Sequence, residues 1–359
     1  MDELWSRDIL GDPFTALTLV LEPDDEGPRV ATLVAYEPDG ASPSSPVPRT
    51  SPAVRAVLYL HGFSDYFFHQ ELASALSSRG YDFFALDLHK YGRSLLPGQT
   101  PGFVTSLDEY DADIDAALGA IERRTADRHG GGAAVELVLM GHSTGGLTAA
   151  LWAARHPGRI AALVLNSPWL DNQGSALLRT AAQGILDTVS RRRPKTRLRL
   201  PELGFYFRSI SNTRDGEWSI DPLWRPESGF PITTGWLAAV LAGHAALAHG
   251  RSVDVPVLLL CSTASTISTT WNPAMLETDS ILDVTSMVRR AAELGDNITI
   301  RRFPGALHDV FLSRRAVRDS AMHAVGWWLD AYLAVGPASA PAPASELTGP
   351  EVPGSTTAG

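Results

Sequence analysis

The chain has one cysteine in 359 residues, Cys261, so no internal disulfide can form and the fold must rest on packing and hydrogen bonding. Cys261 closes the apolar run 257–261, a context for a buried structural thiol instead of a nucleophile. No apolar stretch reaches the ~18 residues that a membrane-spanning helix needs. Basic charge is also in deficit: 30 Lys and Arg stand against 40 Asp and Glu, a formal net charge of -10. That balance argues against nucleic acid as a partner and against a general affinity for anionic membranes. The first residues, Met1 to Trp5, lack the basic start and apolar core of a secretion signal, so a cytoplasmic location is expected. There is no cluster of His and Cys at ligand spacing, and neither a metal nor an organic cofactor is expected.

What the chain does contain is a 44% hydrophobic composition, enough for a sizeable core, arranged as alternating strand-like and helix-like segments. That order predicts an α/β fold with a mainly parallel sheet and helices on both faces. An antiparallel pair over 14–21 and 30–36 opens it, and a Pro- and Ser-rich loop follows at 38–52. Buried strands are expected at 54–60, 81–88, 135–140, 160–165, 255–260 and 297–303. Two intervals break the rhythm. Residues 169–251 are too many for a crossover and read as an inserted cap, with an amphipathic stretch at 176–189. Residues 262–278 are polar and lengthen the loop after the 255–260 strand. The expected organisation is a core in two parts, 1–168 and 252–335, the cap at 169–251, and a disordered tail of Ala, Pro, Ser, Gly and Thr at 336–359.

The most informative run is 138–147, where an apolar strand enters Gly141-His142-Ser143-Thr144-Gly145 and an Ala-rich helix pattern follows. Gly-x-Ser-x-Gly alone is a weak pattern. Between a strand and a helix it marks a nucleophile elbow, a turn so tight that only small residues fit beside the strained serine. Ser143 is the expected nucleophile, and Thr144 at the first helical turn offers a free backbone N–H to an oxyanion.

A serine hydroxyl needs a base, and the base needs an acidic orienter; on such a sheet both follow the nucleophile along the chain, acid first. Of the downstream histidines, His308 follows the last strand across a short Pro304-Gly305 turn, which places it at the sheet's carboxyl edge. His156 reads as a capping residue and His323 as a helix-face residue. The acid is harder to place, because Cys261-Ser262-Thr263-Ala264-Ser265 contains none and Ser265 occupies the expected position. Beyond the polar insertion stand Asp279, favoured because it lies on the loop into the next helix pattern, and Asp283, the alternative acid or an N-cap. The second oxyanion donor is the backbone of Phe63, just past the 54–60 strand and His61-Gly62, with His61 supporting that loop.

Together, His61-Gly62-Phe63, the stretch 87–94, Gly141 to Gly146, Asp279 to Val284 and Gly305-Ala306-Leu307-His308 resemble the α/β-hydrolase superfamily. Within it the chain is similar to the group of monoacylglycerol lipases, lysophospholipases and serine aminopeptidases, over roughly 54–333. The resemblance implies an α/β-hydrolase fold with a cap and a Ser143, His308, Asp279 triad served by backbone donors at Phe63 and Thr144. In that group an Asp or Pro commonly stands four positions after the acid, and Asp283 fits that place relative to Asp279. Three departures stand out: the displaced acid, Lys90-Tyr91 where Gly and His are usual, and the bulky Phe63, Tyr66, Phe67 and Phe68 loop. The second is expected to reshape the pocket wall and the third to give a narrowed or apolar acyl pocket.

The expected activity is hydrolysis of monoacylglycerol-like or lysophospholipid-like esters through an acyl-enzyme, with a small lipidic ester as the partner. Eight aromatics of 169–236 (Trp169, Phe205, Tyr206, Phe207, Trp218, Trp224, Phe230 and Trp236) are available to line an acyl channel or to form the cap's own core. The basic run 191–199 reads as a solvated loop, or as a weak peripheral contact with a membrane. The alternatives are an aminopeptidase using Glu202, Glu217 or Asp221 to hold an amine, an acyltransferase on the same triad, and a non-catalytic binding relative.

Overall fold

The computed structural model describes residues 4–38, 53–129, 134–171, 189–198, 203–250 and 252–334. The stretches expected as a loop at 39–52, as amphipathic at 176–188 and as a tail at 336–359 lie outside them. Among the described residues nine strands form one sheet: β1 (Ser6–Arg7), β2 (Phe14–Asp24), β3 (Gly27–Tyr36), β4 (Val54–Leu60), β5 (Asp82–Asp87), β6 (Val135–His142), β7 (Ala162–Asn166), β8 (Val257–Ser262) and β9 (Ile298–Phe303). Their spatial order is β1-β2-β3-β5-β4-β6-β7-β8-β9, antiparallel as far as β5 and parallel from β5 to β9. β1 was not expected. Two exposed residues carry no periodicity, and only their pairing with Thr15 and Ala16 makes them a strand.

The helices are α1 (Gln70–Ser77), α2 (Asp111–His129), α3 (Thr144–Arg155), α4 (Phe205–Ile210), α5 (Thr234–Ala248), α6 (Val284–Ala291) and α7 (Arg315–Ala334). Every residue of β4 is buried, as a central strand covered on both sides must be. Its alternate side chains serve two cores. Ala56, Leu58 and Leu60 join Ile114 of α2, Leu147 of α3 and Met287 of α6. Val57 and Tyr59 point the other way, to Leu72 of α1 and Val325 and Leu329 of α7.

The chain runs from β4 outward to β5 and then back across to β6, so the sheet order reverses between β4 and β6, whose ends lie side by side at Leu60 and Gly141. Such a switch point leaves a crevice at the strands' carboxyl ends. Between β7 and β8 the chain makes its long excursion, which is pinned to the sheet domain by several polar contacts. Arg225 meets Asp65 at 2.6 Å, Trp218 donates to the Leu312 carbonyl at 2.9 Å, and Lys195 of the basic run reaches Asp25 and Glu26 at 2.7 and 3.0 Å. Among the described residues no helix is long and apolar enough to cross a membrane.

Candidate active site

Ser143 sits where β6 meets α3, with φ +53° and ψ −117°, a backbone that L-residues rarely adopt. Close packing holds it there. A Cβ on Gly141 would lie 2.5 Å from the Gly145 carbonyl oxygen, and one on Gly145 would lie 2.2 Å from the His61 carbonyl oxygen. Neighbouring β7 and the segment just after it add one bond each: Ser143 N–H donates to the Asn166 carbonyl at 3.1 Å, and Trp169 N–H donates to the Ser143 carbonyl at 3.0 Å. The strained conformation is therefore over-determined by its surroundings.

His308 follows β9 and is almost wholly buried. Its Nε2 lies 3.0 Å from Ser143 Oγ and its Nδ1 lies 2.9 Å from Asp279 Oδ2. One tautomer satisfies both contacts, with Nδ1–H donating to Asp279 and Nε2 accepting from Ser143. Asp279 is fully buried, and its other oxygen accepts from the N–H groups of Ile281 and Leu282, each at 2.8 Å. Asp283 is elsewhere, accepting from Thr285 N–H at 2.8 Å as the N-cap of α6.

The insertion after β8 is closed at its base. A parallel bridge joins Ser265 to Asp279, with Asp279 N–H donating to Ala264 at 3.0 Å and Thr266 N–H to Asp279 at 2.8 Å. The Ser265 hydroxyl donates to the Leu282 carbonyl at 2.8 Å and accepts from Val284 N–H at 2.9 Å. The place next to the strand is thus filled by a serine that anchors the segment bearing the carboxylate.

Phe63 and Thr144 both border the site. A Cβ on Gly62 would be 3.1 Å from Ser143 Cβ, which shows how closely the Gly62–Phe63 backbone approaches the serine. Thr144 opens α3, where a backbone N–H has no intrahelical acceptor. His61 supports the first loop as expected: Leu88 N–H donates to its Nε2 at 3.1 Å, and its Nδ1 lies 2.7 Å from the Gly62 carbonyl oxygen. His156 caps the end of α3 and lies 3.0 Å from Asp111, and His323 is exposed on α7.

A cavity of about 550 Å³ opens onto Ser143 and His308. Of the eight aromatics, Trp169, Phe205, Tyr206, Phe207 and Trp236 line it. Trp218 and Trp224 instead pack beside Tyr66 and Phe68, and Phe230 packs against Tyr91 and Phe63. Two expectations about the wall need correction. Only Phe63 of the bulky loop faces the cavity, stacked 4.0 Å from Trp236, while Tyr66, Phe67 and Phe68 are drawn into the cores behind it. Lys90 is buried and turned away, its ammonium 2.6 Å from Asp24 and 2.8 Å from Glu26, and Tyr91 backs Phe63 without lining the cavity.

Sequence reasoning missed a buried polar cluster beside His308. Asp309 accepts from Asn166 Nδ2 at 2.6 Å and from Phe311 N–H at 2.9 Å, and its N–H donates to the Tyr206 hydroxyl at 3.1 Å. His69 and His142 stand 3.6 and 3.9 Å from its second oxygen. Burial pushes the Asp309 carboxyl upward, but His142, His69 and the Asn166 hydrogen bond outweigh it and leave it below the usual value. Burial pushes the His142 imidazole down to about 4, against the attraction of Asp309, so it is neutral at pH 7. Asn166 and Asp309 are 143 residues apart in the chain, and no local pattern connects them. Cys261 is buried with its thiol pushed up to about 11, chiefly by desolvation, which leaves it inert.

Comparison with known proteins matches residues 51–314 to the family described as serine aminopeptidase, S33. No curated protein matches the chain. Among solved structures, a soluble variant of monoglyceride lipase from Saccharomyces cerevisiae superposes with a TM-score of 0.59 at 18% identity, covering 87% of this chain and 94% of that one. Monoacylglycerol lipase from Paleococcus ferrophilus gives 0.53 at 21% identity, with 77% and 94% covered. A carboxyl esterase from Bacillus coagulans gives 0.58 at 13% identity, with 89% and 99% covered. At these identities the likeness is one of fold. The family match, in contrast, runs from the start of β4 past His308, over most of the chain and every element that frames Ser143. The chain belongs to the serine aminopeptidase, S33 family and has the α/β-hydrolase fold.

Proposed function

We propose that this hydrolase is a serine carboxylic ester hydrolase that cleaves monoacylglycerol-like or lysophospholipid-like esters through an acyl-enzyme. The observation that carries the reading is the unbroken line Ser143–His308–Asp279, two contacts of 3.0 and 2.9 Å within a site that opens onto a cavity. Ser143 Oγ attacks the ester carbonyl carbon while His308 Nε2 takes its proton, and Asp279 stabilises the imidazolium. The N–H groups of Phe63 and Thr144 hold the oxyanion, each worth roughly 3 kcal/mol of barrier. As the tetrahedral intermediate collapses, His308 returns the proton to the departing alcohol oxygen. Water, deprotonated by His308, then attacks the acyl carbonyl, and the proton passes back to Ser143 as the acid leaves.

The residues 169–251 act in this reading as a cap, and the aromatic and aliphatic lining they supply favours an acyl chain. An aminopeptidase needs a free carboxylate for the substrate amine. Asp65 and Glu227 are the acids lining the cavity among the described residues, and each is paired with an arginine, Arg225 or Arg214. Glu217 is engaged by Arg318, Asp221 accepts from Leu223 N–H, neither lines the cavity, and Glu202 lies outside the described residues. This supports the ester over the peptide.

The test is hydrolysis of a p-nitrophenyl ester series from short to long acyl chains, with Ser143→Ala as control. Turnover should favour medium or long chains, and Ser143→Ala should lower kcat by at least about 10⁴-fold. An intact chain that turns over no ester and takes no fluorophosphonate label at Ser143 would sink the reading.

A further inference from the structure

The insertion that carries Asp279 away from β8 also builds part of the cavity. β8 ends at Ser262, and residues 266–278 leave and return through the Ser265–Asp279 bridge. Ile267 and Ser268 on the outgoing limb and Ile281 and Leu282 just beyond the return all line the cavity. Ile267 and Ile281 are 55% and 43% exposed, so both leave apolar surface open beside the site.

The outer end of the insertion is docked onto α4. The Trp271 ring meets Phe205 edge-on at 5.8 Å, and the Arg208 guanidinium lies 4.0 Å from the Trp271 ring centre. Asp215 holds Arg208 from its other side at 2.5 Å. The short turn Pro273–Leu276, with Met275 buried, rests against the same helix. Phe205, Tyr206 and Phe207 of α4 line the cavity, and the Tyr206 ring stands edge-on to His308 at 5.4 Å. One loop therefore bears the carboxylate at its root, supplies wall residues on the limbs beside that root and grips the facing wall at its tip.

We propose that residues 266–278, together with the adjoining Ile281, are the acyl-selectivity element of this protein: Trp271 is a positioning residue that clamps α4 across the cavity, and Ile267 with Ile281 forms an apolar wall for the distal hydrocarbon of a medium or long acyl chain. The proposal rests on the ester-hydrolase reading above. A loop that merely spaced Asp279 from β8 would affect all acyl lengths alike, because the acid acts on the chemical step common to all of them. A wall acts only on chains long enough to touch it, and it acts through binding.

The experiment compares Trp271→Ala, Trp271→Phe and the intact full chain over the ester series. Trp271→Ala is expected to raise KM for a long-chain ester about tenfold while kcat and the short-chain parameters stay within about twofold, with Trp271→Phe recovering most of the loss. Equal changes for short and long chains, or none, overturn the proposal. If Trp271→Ala does not fold, Ile267→Ser, at an exposed position, should raise the long-chain KM in the same direction, and an unchanged KM overturns the proposal. Binding of dodecanoate to the Ser143→Ala protein supplies a readout without turnover: Ile267→Ser or Trp271→Ala should weaken it about tenfold, and unchanged affinity overturns the proposal. Dodecanoate binding that depends on Trp271 in a chain inert toward every ester would instead support the selectivity wall and overturn only the hydrolase reading.

Discussion

Ser143 and Asp279 meet the same imidazole from opposite sides, and they are held by different physics. Around Ser143 the restraint is backbone against backbone, with no room for a Cβ on Gly141 or Gly145. Around Asp279 the restraint is polar: a two-residue bridge, two N–H groups on one carboxylate oxygen and the Ser265 hydroxyl. Close packing ties Ser143 to five consecutive residues, because any change of spacing collides. Hydrogen bonds at a loop's base leave Asp279 free to enter from far along the chain, since only the base must keep its geometry. The polar segment 262–278 lies on the permissive side.

The largest expected effect sharpens the acid side. Asp279→Asn should lower kcat about 10⁴-fold by leaving His308 in the wrong tautomer, whereas Asp283→Asn should cost at most about 1 kcal/mol of stability and leave turnover nearly intact. Steady-state kinetics on the two variants checks this, and the reverse pattern would move the acid to Asp283.

On the nucleophile side, His142 makes the packing sensitive to acid. Its imidazole is lowered from 6.5 to about 4 in the folded chain, so between those values the unfolded chain binds a proton that the folded chain refuses. Stability present above pH 6.5 is therefore lost as pH falls toward 4, by roughly 3 kcal/mol from this group. His244, buried with its Nε2 2.8 Å from the Trp169 carbonyl oxygen and likewise lowered to about 4, adds a similar loss in the same direction. Urea unfolding at pH 7.5 and 4.5 should show the decline, and His142→Gln should shrink it. An unchanged pH slope in that variant would remove His142 from the account.

The smallest effect concerns the loop base. Ser265→Ala removes a donor to Leu282 and an acceptor for Val284, and should cost about 1–2 kcal/mol with a several-fold loss of kcat as Asp279 loosens. A loss of stability without any change in kcat would show that the bridge alone positions the carboxylate.

Much of this was legible in the chain. The parallel strands β4 to β8 announce themselves because a strand covered on both faces is mostly apolar, whereas β9, at the sheet's edge, alternates with exposed arginines. The elbow is legible because strand, glycines, serine and helix are consecutive, and His308 because the last strand leads directly to it. The fate of the aromatics was not. Phe63 and Phe67 are four residues apart and chemically identical, yet one lines the cavity and the other is buried in the core beneath α1. Nor was the Asn166–Asp309 pair, whose members have no shared local pattern.

By itself the sequence determined the sheet apart from β1, the elbow pattern around Ser143 and the direction in which its partners follow, since these depend on local steric rules and on the periodicity of buried strands. Only the tertiary structure decided that Asp279 and not Asp283 faces His308, that Ser265 anchors the segment that carries Asp279, and that Trp271 of the insertion packs on Phe205 of α4. Those outcomes depend on contacts between residues far apart in the chain, where many side chains have the right chemistry and only the packed fold selects which of them meet.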